Sequence, residues 1–451
     1  MKKKYVRWTL WTIASPFILF IILCILIYLP PIQNFLVDKA AVYASEATGM
    51  NISVGRISLS FPLNLVVTNV DAASPHNDTL LSVRRLQVNV QLLPLLKKQV
   101  EVDGISLQGA TVNSNDLIHG MKLNGTLGEL FISSHGVALD PETAIVNKVL
   151  LKDTDLSLCL NDTAAADTAA SDTTYWKIIL QDIDLQNVSF ALDMPLDSLS
   201  LAASLDNAIL RDGLIDLHKS AYSLQTFRIE NGRVRYDNGK PLAADSLSSG
   251  LDPSHIALTD IGVKLDSLYY GGRNMKAIIS QFVLKERSGV EIVSATGRMV
   301  SNDKVLRVPS LKLETRDSYL ELNAAMDWNA LDFKDEGLVS ARLMADIGKP
   351  DVVRFMGSMD EKFIRQYPSE PLRIRTGIDG DLNKLKLTTL TAELPGALGL
   401  FARGELTHLT DSLLRGGDIT LEAETKDLKF VSTLALSLIH ISEPTRLRRI
   451  S

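Results

Sequence analysis

Cysteine is nearly absent from this chain of 451 residues, in which Cys24 and Cys159 are the only two. Two cysteines cannot form the disulfide framework that stabilises many small secreted domains. The seven histidines are scattered, and none belongs to an H-E-x-x-H motif or to a His/Cys pair with metal-ligand spacing. The sequence therefore predicts no metal, no cofactor and no redox site.

Catalytic sequence motifs are also missing. The chain contains no G-x-S-x-G motif, no Walker loop and no G-x-G-x-x-G motif after a predicted strand. Cys159 alternates with Leu158 and Leu160, which favours a small residue in a sheet over a nucleophile. Acidic residues are spread along turns and polar strand positions, and no pair stands out as an acid–base couple. We expect that the protein is not an enzyme.

An excess of positive charge is lacking too. The chain has 47 Lys and Arg against 53 Asp and Glu, which gives a net charge of −6. Nucleic-acid binders usually carry a basic face, so we expect no nucleic-acid partner. Aromatic residues make up only 6% of the chain, whereas hydrophobic residues make up 46%. The apolar surface available for burial is therefore mainly aliphatic.

Residues 8–29 are an uncharged stretch that follows four basic residues and precedes two prolines. At about 1.5 Å per residue a helix of this length spans roughly 33 Å, which matches a hydrocarbon core of about 30 Å. Basic residues before the span place the N-terminus in the cytoplasm. The sequence thus predicts a single-pass anchor over residues 1–30, whose aromatic anchor residues are Trp8, Trp11, Phe17, Phe20 and Tyr28.

The alternative interpretation of this stretch is a cleaved signal peptide. Such a peptide has an apolar region of about 7–15 residues and a cleavage site with small residues. The stretch here is longer, and its exit at 25–31 has no A-x-A pattern. A short amphipathic helix ending at Gly49 is predicted after the span, since apolar residues recur there at helical spacing: Ile32, Phe35, Leu36, Ala40, Tyr43 and Ala47. This helix is expected either to lie on the membrane or to cap the first strands.

Beyond residue 50 the apolar residues recur with a period of two, for example at Leu86, Val88 and Val90 and at Ile419 and Leu421. This period is typical of strands with one apolar and one polar face, as found in antiparallel sheets. A weak repeat places two apolar pairs on either side of a Gly, Asn or Asp residue. The central residues of its four copies are Gly109, Asp153, Asn187 and Asn231. Because these residue types tolerate left-handed backbone geometry, the repeat predicts strands that bend or bulge and then resume.

Three further segments depart from the strand pattern. Residues 351–365 carry apolar residues on one helical face, which predicts an amphipathic helix packed on the sheet. Residues 161–174 are a low-complexity Asp/Thr/Ala segment, which is typical of an exposed linker. The last 16 residues, 436–451, look like a translated sequencing adaptor, which would make the chain an N-terminal fragment. The alternative is a genuine basic tail.

The order of segments over residues 1–115 resembles the AsmA/TamB superfamily, especially the long TamB-like proteins of Bacteroidetes. A single N-terminal span is followed by a helix ending in Ala47, Thr48 and Gly49, and then by strand segments at 52–57, 63–70, 80–88, 95–102 and 104–112. From residue 115 to about 435 the resemblance is one of strand pattern only. It rests on spacing and apolar type rather than on catalytic residues.

This resemblance implies a mainly β fold: an N-terminal transmembrane helix followed by an elongated, curved antiparallel β-groove with few short helices. The implied protein is anchored in the inner membrane of a Gram-negative bacterium, lies mostly in the periplasm and moves phospholipid towards the outer membrane. The expected domains are a β domain over 31–160 and a continuing groove over 175–435. The candidate groove-lining residues are Leu59, Phe61, Leu63, Leu107, Leu185 and Phe190.

The resemblance also implies an outer-membrane β-barrel partner of the Omp85 type, contacted through a C-terminal domain that this chain lacks. The alternative function is an assembly scaffold for outer-membrane proteins, which would act through exposed strand edges without moving lipid. Charge substitutions at Phe61 or Leu107 would distinguish the two, since only a lipid groove requires an apolar lining there.

Overall fold

A computed structural model describes residues 39, 41–42, 45–46, 48–60, 64–74, 78–91, 102–114, 120–138, 142–161, 175–240, 250–334, 336–356 and 361–432. The predicted anchor with Trp8, Trp11, Phe17, Phe20 and Tyr28 lies outside these residues, as do 162–174 of the predicted linker and the segment 436–451. Within the described part of the chain, no helix has the length and apolar character needed to cross a membrane.

The described residues are mainly β, as the alternating pattern predicts. The strands are β1 (Asn51–Ser60), β2 (Asn64–Ala73), β3 (Thr79–Val90), β4 (Val102–Asn113), β5 (Met121–Ala138), β6 (Thr143–Leu160), β7 (Lys177–Met194), β8 (Leu199–Asp216), β9 (Ala221–Leu224), β10 (Thr226–Asp237), β11 (His255–Gly271), β12 (Asn274–Glu286), β13 (Glu291–Ser301), β14 (Val305–Thr315), β15 (Tyr319–Asp327), β16 (Leu338–Ile347), β17 (Leu372–Asp381), β18 (Lys384–Leu394), β19 (Leu398–Thr407) and β20 (Gly416–Thr425). The short helices are α1 (Trp328–Leu331), α2 (Lys349–Met356) and α3 (Glu361–Gln366).

The chain divides into two compact units. Unit 1 comprises residues 1–174 and 178–196, and unit 2 comprises 175–177 and 197–451. In unit 1, β1 to β6 pair in chain order, and each pairing is antiparallel. Such a meander places residues distant in sequence side by side across the sheet, so that side chains at registered positions share a face.

In unit 2, β8 pairs with both β9 and β10, and β11 pairs with the same two strands. From β11 to β20 every strand pairs with its successor in the antiparallel sense. The prediction of antiparallel sheets is therefore confirmed within each unit.

The left-handed backbone geometry predicted at the centre of the repeat is confirmed. Gly109, Asp153, Asn187 and Asn231 have φ angles of 61°, 49°, 51° and 54° in the middle of β4, β6, β7 and β10. A left-handed residue inside a strand bends the strand and re-aims the side chains that follow it. The predicted helix stop is also confirmed: Gly49 has a φ angle of 70°, and its N–H donates to the Ser45 carbonyl at 2.9 Å.

The predicted helix over 351–365 corresponds to α2 and α3, with residues 357–360 outside the described part of the chain. Phe363 of α3 is 2% exposed and packs against Phe430, with ring centroids 5.6 Å apart. The same cluster includes Leu394 of β18 and is packed against by Leu372 of β17. The helical segment therefore covers one end of the sheet of unit 2, as the sequence predicts.

Candidate functional site

Two rows of aliphatic residues run across β1 to β6 of unit 1. The Leu59 row consists of Leu59, Leu65, Val88, Ile105, Ile132 and Val149 at registered positions on successive strands. The Leu107 row consists of Ile57, Val67, Leu86, Leu107, Leu130 and Leu151. Members of the two rows are two residues apart on each strand, so both rows lie on the same face of the sheet.

None of these aliphatic side chains is fully buried. All twelve belong to the half-buried class except Ile105, which is 37% exposed. A side chain in the core of a domain is shielded from water on every side, whereas these side chains keep part of their surface accessible. The face formed by the two rows is therefore apolar and accessible.

A polar seam borders this face in unit 1. Left-handed residues stand at Asn69 in β2, Gly109 in β4 and Asp153 in β6. On the C-terminal side of these residues the alternation of apolar and polar positions is shifted by one residue. In β4, for example, the next apolar residue after Leu107 is Ala110, where strict alternation would place it at position 109. The left-handed residues interrupt the alternation at the point where the pattern changes, and the strands bend there.

Close packing across the seam explains why small residues occur in it. A Cβ atom on Gly128 would lie 2.8 Å from the Cβ of Asp153, and a Cβ atom on Gly109 would lie 3.0 Å from the Nε of Arg84. Asn187 of β7 donates its side-chain N–H to the Asp153 carboxylate at 2.9 Å. At the seam, close backbone packing is therefore combined with a polar contact between the left-handed residues Asn187 and Asp153.

The same arrangement is longer in unit 2, where two rows each cross twelve strands, β8 and β10 to β20. The Leu313 row consists of Ala208, Ile229, Val263, Phe282, Ala295, Leu313, Leu320, Ala345, Ile374, Ala392, Leu400 and Ala423. The Leu322 row consists of Leu210, Phe227, Leu265, Ile279, Gly297, Leu311, Leu322, Leu343, Thr376, Leu390, Ala402 and Leu421.

The positions between these two rows are mostly polar. From β13 to β20 they are Thr296, Lys312, Glu321, Met344, Arg375, Thr391, Phe401 and Glu422. Arg375 pairs with Asp346 at 2.8 Å, and Tyr319 donates to Glu321 at 2.8 Å. That hydrogen bond raises the pKa of Tyr319. From β13 to β20 the sheet of unit 2 therefore has one mainly apolar face and one mainly polar face.

Small hydrophobic clusters cover the apolar face of unit 2 at both strand ends. At one end Phe363, Tyr367 and Phe430 pack with Leu394 and Ala397. At the other end Ala330 of α1 packs with Val339 and Leu382. Between these covered ends the leucines, isoleucines and phenylalanines of the two rows are half-buried or exposed, and Leu421 in β20 is 62% exposed. The result is an apolar strip bounded by two small cores.

Polar bends border unit 2 as well. Asn231 in β10 and Asp260 in β11 have φ angles of 54° and 52°, and the register between these strands shifts at Ile229/Gly232. The Asp260 carboxylate accepts a hydrogen bond from Lys285 Nζ at 2.7 Å, which raises the pKa of Lys285. Left-handed acidic and amide residues thus perform the same structural role in both units.

Four of the six residues predicted to line a groove lie in the described part of the chain, and their exposures differ. Leu59 and Leu107 lie in adjacent rows on one face of unit 1, and both are half-buried. Leu185 is half-buried and Phe190 is 38% exposed, on opposite sides of the left-handed Asn187 in β7. Phe61 and Leu63 lie outside the described residues. The rest of the two faces was not predicted residue by residue, because strand register is needed to assemble them.

Polar chemistry is sparse on these faces. In the described part of the chain, no three His, Cys, Asp or Glu side chains come together as a candidate metal site. The Cys159 Sγ lies 3.2 Å from the Asn161 side-chain oxygen, next to the end of β6. The apolar face of unit 1 and the apolar strip of unit 2 are suited to contact with an apolar ligand.

Because comparisons with known proteins give no match, the functional interpretation rests on the geometry described above. No protein-family model matches the chain, and no curated protein matches it.

Proposed function

We propose that the chain binds phospholipid by laying its acyl chains along the two apolar faces, and that it shields them during transfer from the inner towards the outer membrane of a Gram-negative bacterium. The observation that carries this proposal is the pair of rows in unit 2, which cross twelve strands with mostly apolar residues and whose leucines, isoleucines and phenylalanines are half-buried or exposed. At about 4.8 Å per strand the rows extend for roughly 50 Å, longer than any single acyl chain.

The energetics favour an apolar ligand. Burying apolar surface is worth about 25 cal/mol per Å², so leaving large half-exposed side chains in water forgoes substantial stabilisation. A large exposed apolar patch usually marks an interaction surface or a ligand groove. The covering clusters at the strand ends leave the central strip free for an acyl chain.

The resemblance of residues 1–115 to the AsmA/TamB superfamily supports the same function. It adds the features that the faces alone do not imply: the inner-membrane anchor over 8–29, the periplasmic location, the elongated groove and an outer-membrane partner of the Omp85 type. Each of these is part of the proposal.

The test is site-specific photocrosslinking in living cells with the full chain. A benzoylphenylalanine in place of Leu322 is expected to give phospholipid adducts, detected by mass spectrometry of the purified protein. The matched control is the same group in place of Asn323, which is the next residue of β15 and is exposed on the polar face. Equal adduct yields at the two positions, or none at Leu322 in a folded protein, would contradict the proposal.

A second candidate function is favoured by β20. All ten of its residues are exposed, including Ile419 at 44% and Leu421 at 62%, and among the described strands it pairs only with β19. An edge of this kind can accept a strand from another protein, which is the contact that an assembly scaffold would use. A photocrosslinker in place of Thr420 that captured a polypeptide, together with no lipid adduct at Leu322, would favour the scaffold.

A further inference from the structure

A pocket of about 310 Å³ lies on the β13–β14 hairpin of unit 2, with Arg298, Arg307, Ser301, Asn302 and Pro309 in its lining. Its volume is at the lower end of the range for small-molecule sites. Arg298 directly follows Gly297 of the Leu322 row, so its side chain lies on the opposite face of the sheet. Arg307 is registered with Ala325, which lies three residues after Leu322 and is therefore also on that opposite face. Because side chains alternate between faces, the pocket lies on the polar face, opposite the apolar strip.

Irregular strand pairing creates the space for this pocket. The register between β13 and β14 shifts between Arg298 and Val300, and that between β14 and β15 shifts between Val308 and Leu311. Pro309 falls in the second irregularity, where a residue without an N–H group is tolerated. Bulges of this kind re-aim side chains, and here they leave two arginines beside one cavity.

Some arginines of unit 2 are paired with acidic side chains, and the two arginines of the pocket are not among them. Arg273, Arg354 and Arg375 each lie within 3 Å of an aspartate oxygen, at 2.9, 2.8 and 2.8 Å. In the described part of the chain, no ion pair joins Arg298 or Arg307 to a carboxylate. Two like charges that share a pocket without a counter-charge favour the binding of an anion.

The other polar groups of the pocket are already engaged. The Ser301 hydroxyl donates to the Arg273 carbonyl at 2.6 Å and accepts from the Met275 N–H at 3.0 Å. The Asn302 side-chain oxygen accepts from the N–H groups of Lys304 and Val305 at 2.9 and 3.0 Å. These contacts hold the hairpin end in place, and the two guanidinium groups and the Asn302 side-chain nitrogen remain as the donors available to a ligand.

We propose that this pocket binds a phosphoryl group between Arg298 and Arg307. The planar guanidinium group presents paired donors that match the oxygens of a phosphate, and two such groups can neutralise its charge. The assignment does not depend on the acyl-chain function, since it concerns the opposite face of the sheet. The phosphoryl group belongs either to a phospholipid headgroup or to free phosphate.

The experiment measures the binding of inorganic phosphate to the full chain by isothermal titration calorimetry. We expect saturable binding that weakens about 10- to 100-fold in Arg298→Gln and in Arg307→Gln, because each removes a charge-assisted pair of hydrogen bonds. Arg342→Gln is the matched control: Arg342 is an exposed arginine of β16 outside the pocket, and its removal should leave the affinity unchanged.

Competition then identifies the source of the phosphoryl group. Displacement of phosphate by dihexanoyl-phosphatidylglycerol, a soluble phospholipid, indicates a headgroup, whereas phosphate binding that this lipid does not compete with indicates free phosphate. Absence of phosphate binding in the folded wild-type chain would overturn the proposal, as would equal affinity in all three variants. Arg307→Lys retains the charge and provides a milder variant if the glutamine substitutions disturb folding, which near-ultraviolet circular dichroism reports.

Discussion

The centre and the ends of the apolar face in unit 2 have the same kind of residue but different surroundings. At the α3 end Phe363 and Phe430 are 2% and 1% exposed, and they stack on each other over the last residues of β18. At the centre the leucines of the Leu322 row, such as Leu322 and Leu343, are half-buried. The large apolar side chains are therefore shielded from water at the covered end and partly accessible at the centre.

The largest expected effect comes from breaking the covered end. Phe363→Ala should lower the free energy of unfolding by about 3–5 kcal/mol, because it removes a buried aromatic ring and leaves a cavity. Leu322→Ala should cost only about 1–2 kcal/mol, since its side chain is only partly buried. Denaturant unfolding of the full chain with each substitution measures both values. Equal losses would mean that the centre is covered as well.

The bends come next in expected effect. Asn231→Val should destabilise the chain by about 1–2 kcal/mol, because a β-branched residue is strained at a φ angle of 54°. Asn231 also donates a hydrogen bond to Asp206, which valine cannot form. Asn231→Gly serves as the control, since glycine adopts this conformation without strain and should recover most of the loss. A valine variant as stable as the glycine variant would show that the bend does not depend on the left-handed residue.

The smallest expected effect concerns a polar contact at the β10–β11 connection. Hydrogen bonds from His255 and from the Ser254 N–H, at 2.8 and 2.9 Å, lower the pKa of Asp252 below its usual 3.8. A lowered pKa means that this carboxylate contributes stability above about pH 4 and loses that contribution as the pH falls through its folded-state value.

Asp252→Asn should therefore lower the unfolding midpoint at pH 6 and have less effect at pH 3. The comparison of wild type and variant at the two pH values, by denaturant unfolding, isolates this contribution. A difference that was independent of pH would show that the aspartate acts through its shape rather than its charge.

Much of the strand content could be predicted from the sequence, because alternation reports directly which residues share a face. The left-handed positions at Gly109, Asp153, Asn187 and Asn231 were predictable for the same reason: a turn-prone residue stands between two apolar pairs. Asp260 was missed, although it has the same conformation, because the next apolar residue follows it at once, as Ile261.

The apolar rows themselves were beyond sequence analysis. Alternation shows that Leu322 and Leu313 face an apolar environment, but only strand register shows that Leu322 lies between Leu311 and Leu343. The covering cluster was equally hidden, since Phe363 and Phe430 are far apart in the chain and meet through tertiary packing. The two-arginine pocket depends on register shifts, which have no clear signature in the sequence.

The direction of the rows has a consequence for whatever lies along them. Because each row runs across the strands, a flexible apolar chain aligned with it would meet a new row position, in most cases an apolar side chain, about every 4.8 Å. An apolar occupant would then be retained by many weak contacts along the row rather than by one specific site. Such a surface would hold an apolar chain without fixing its position along the row.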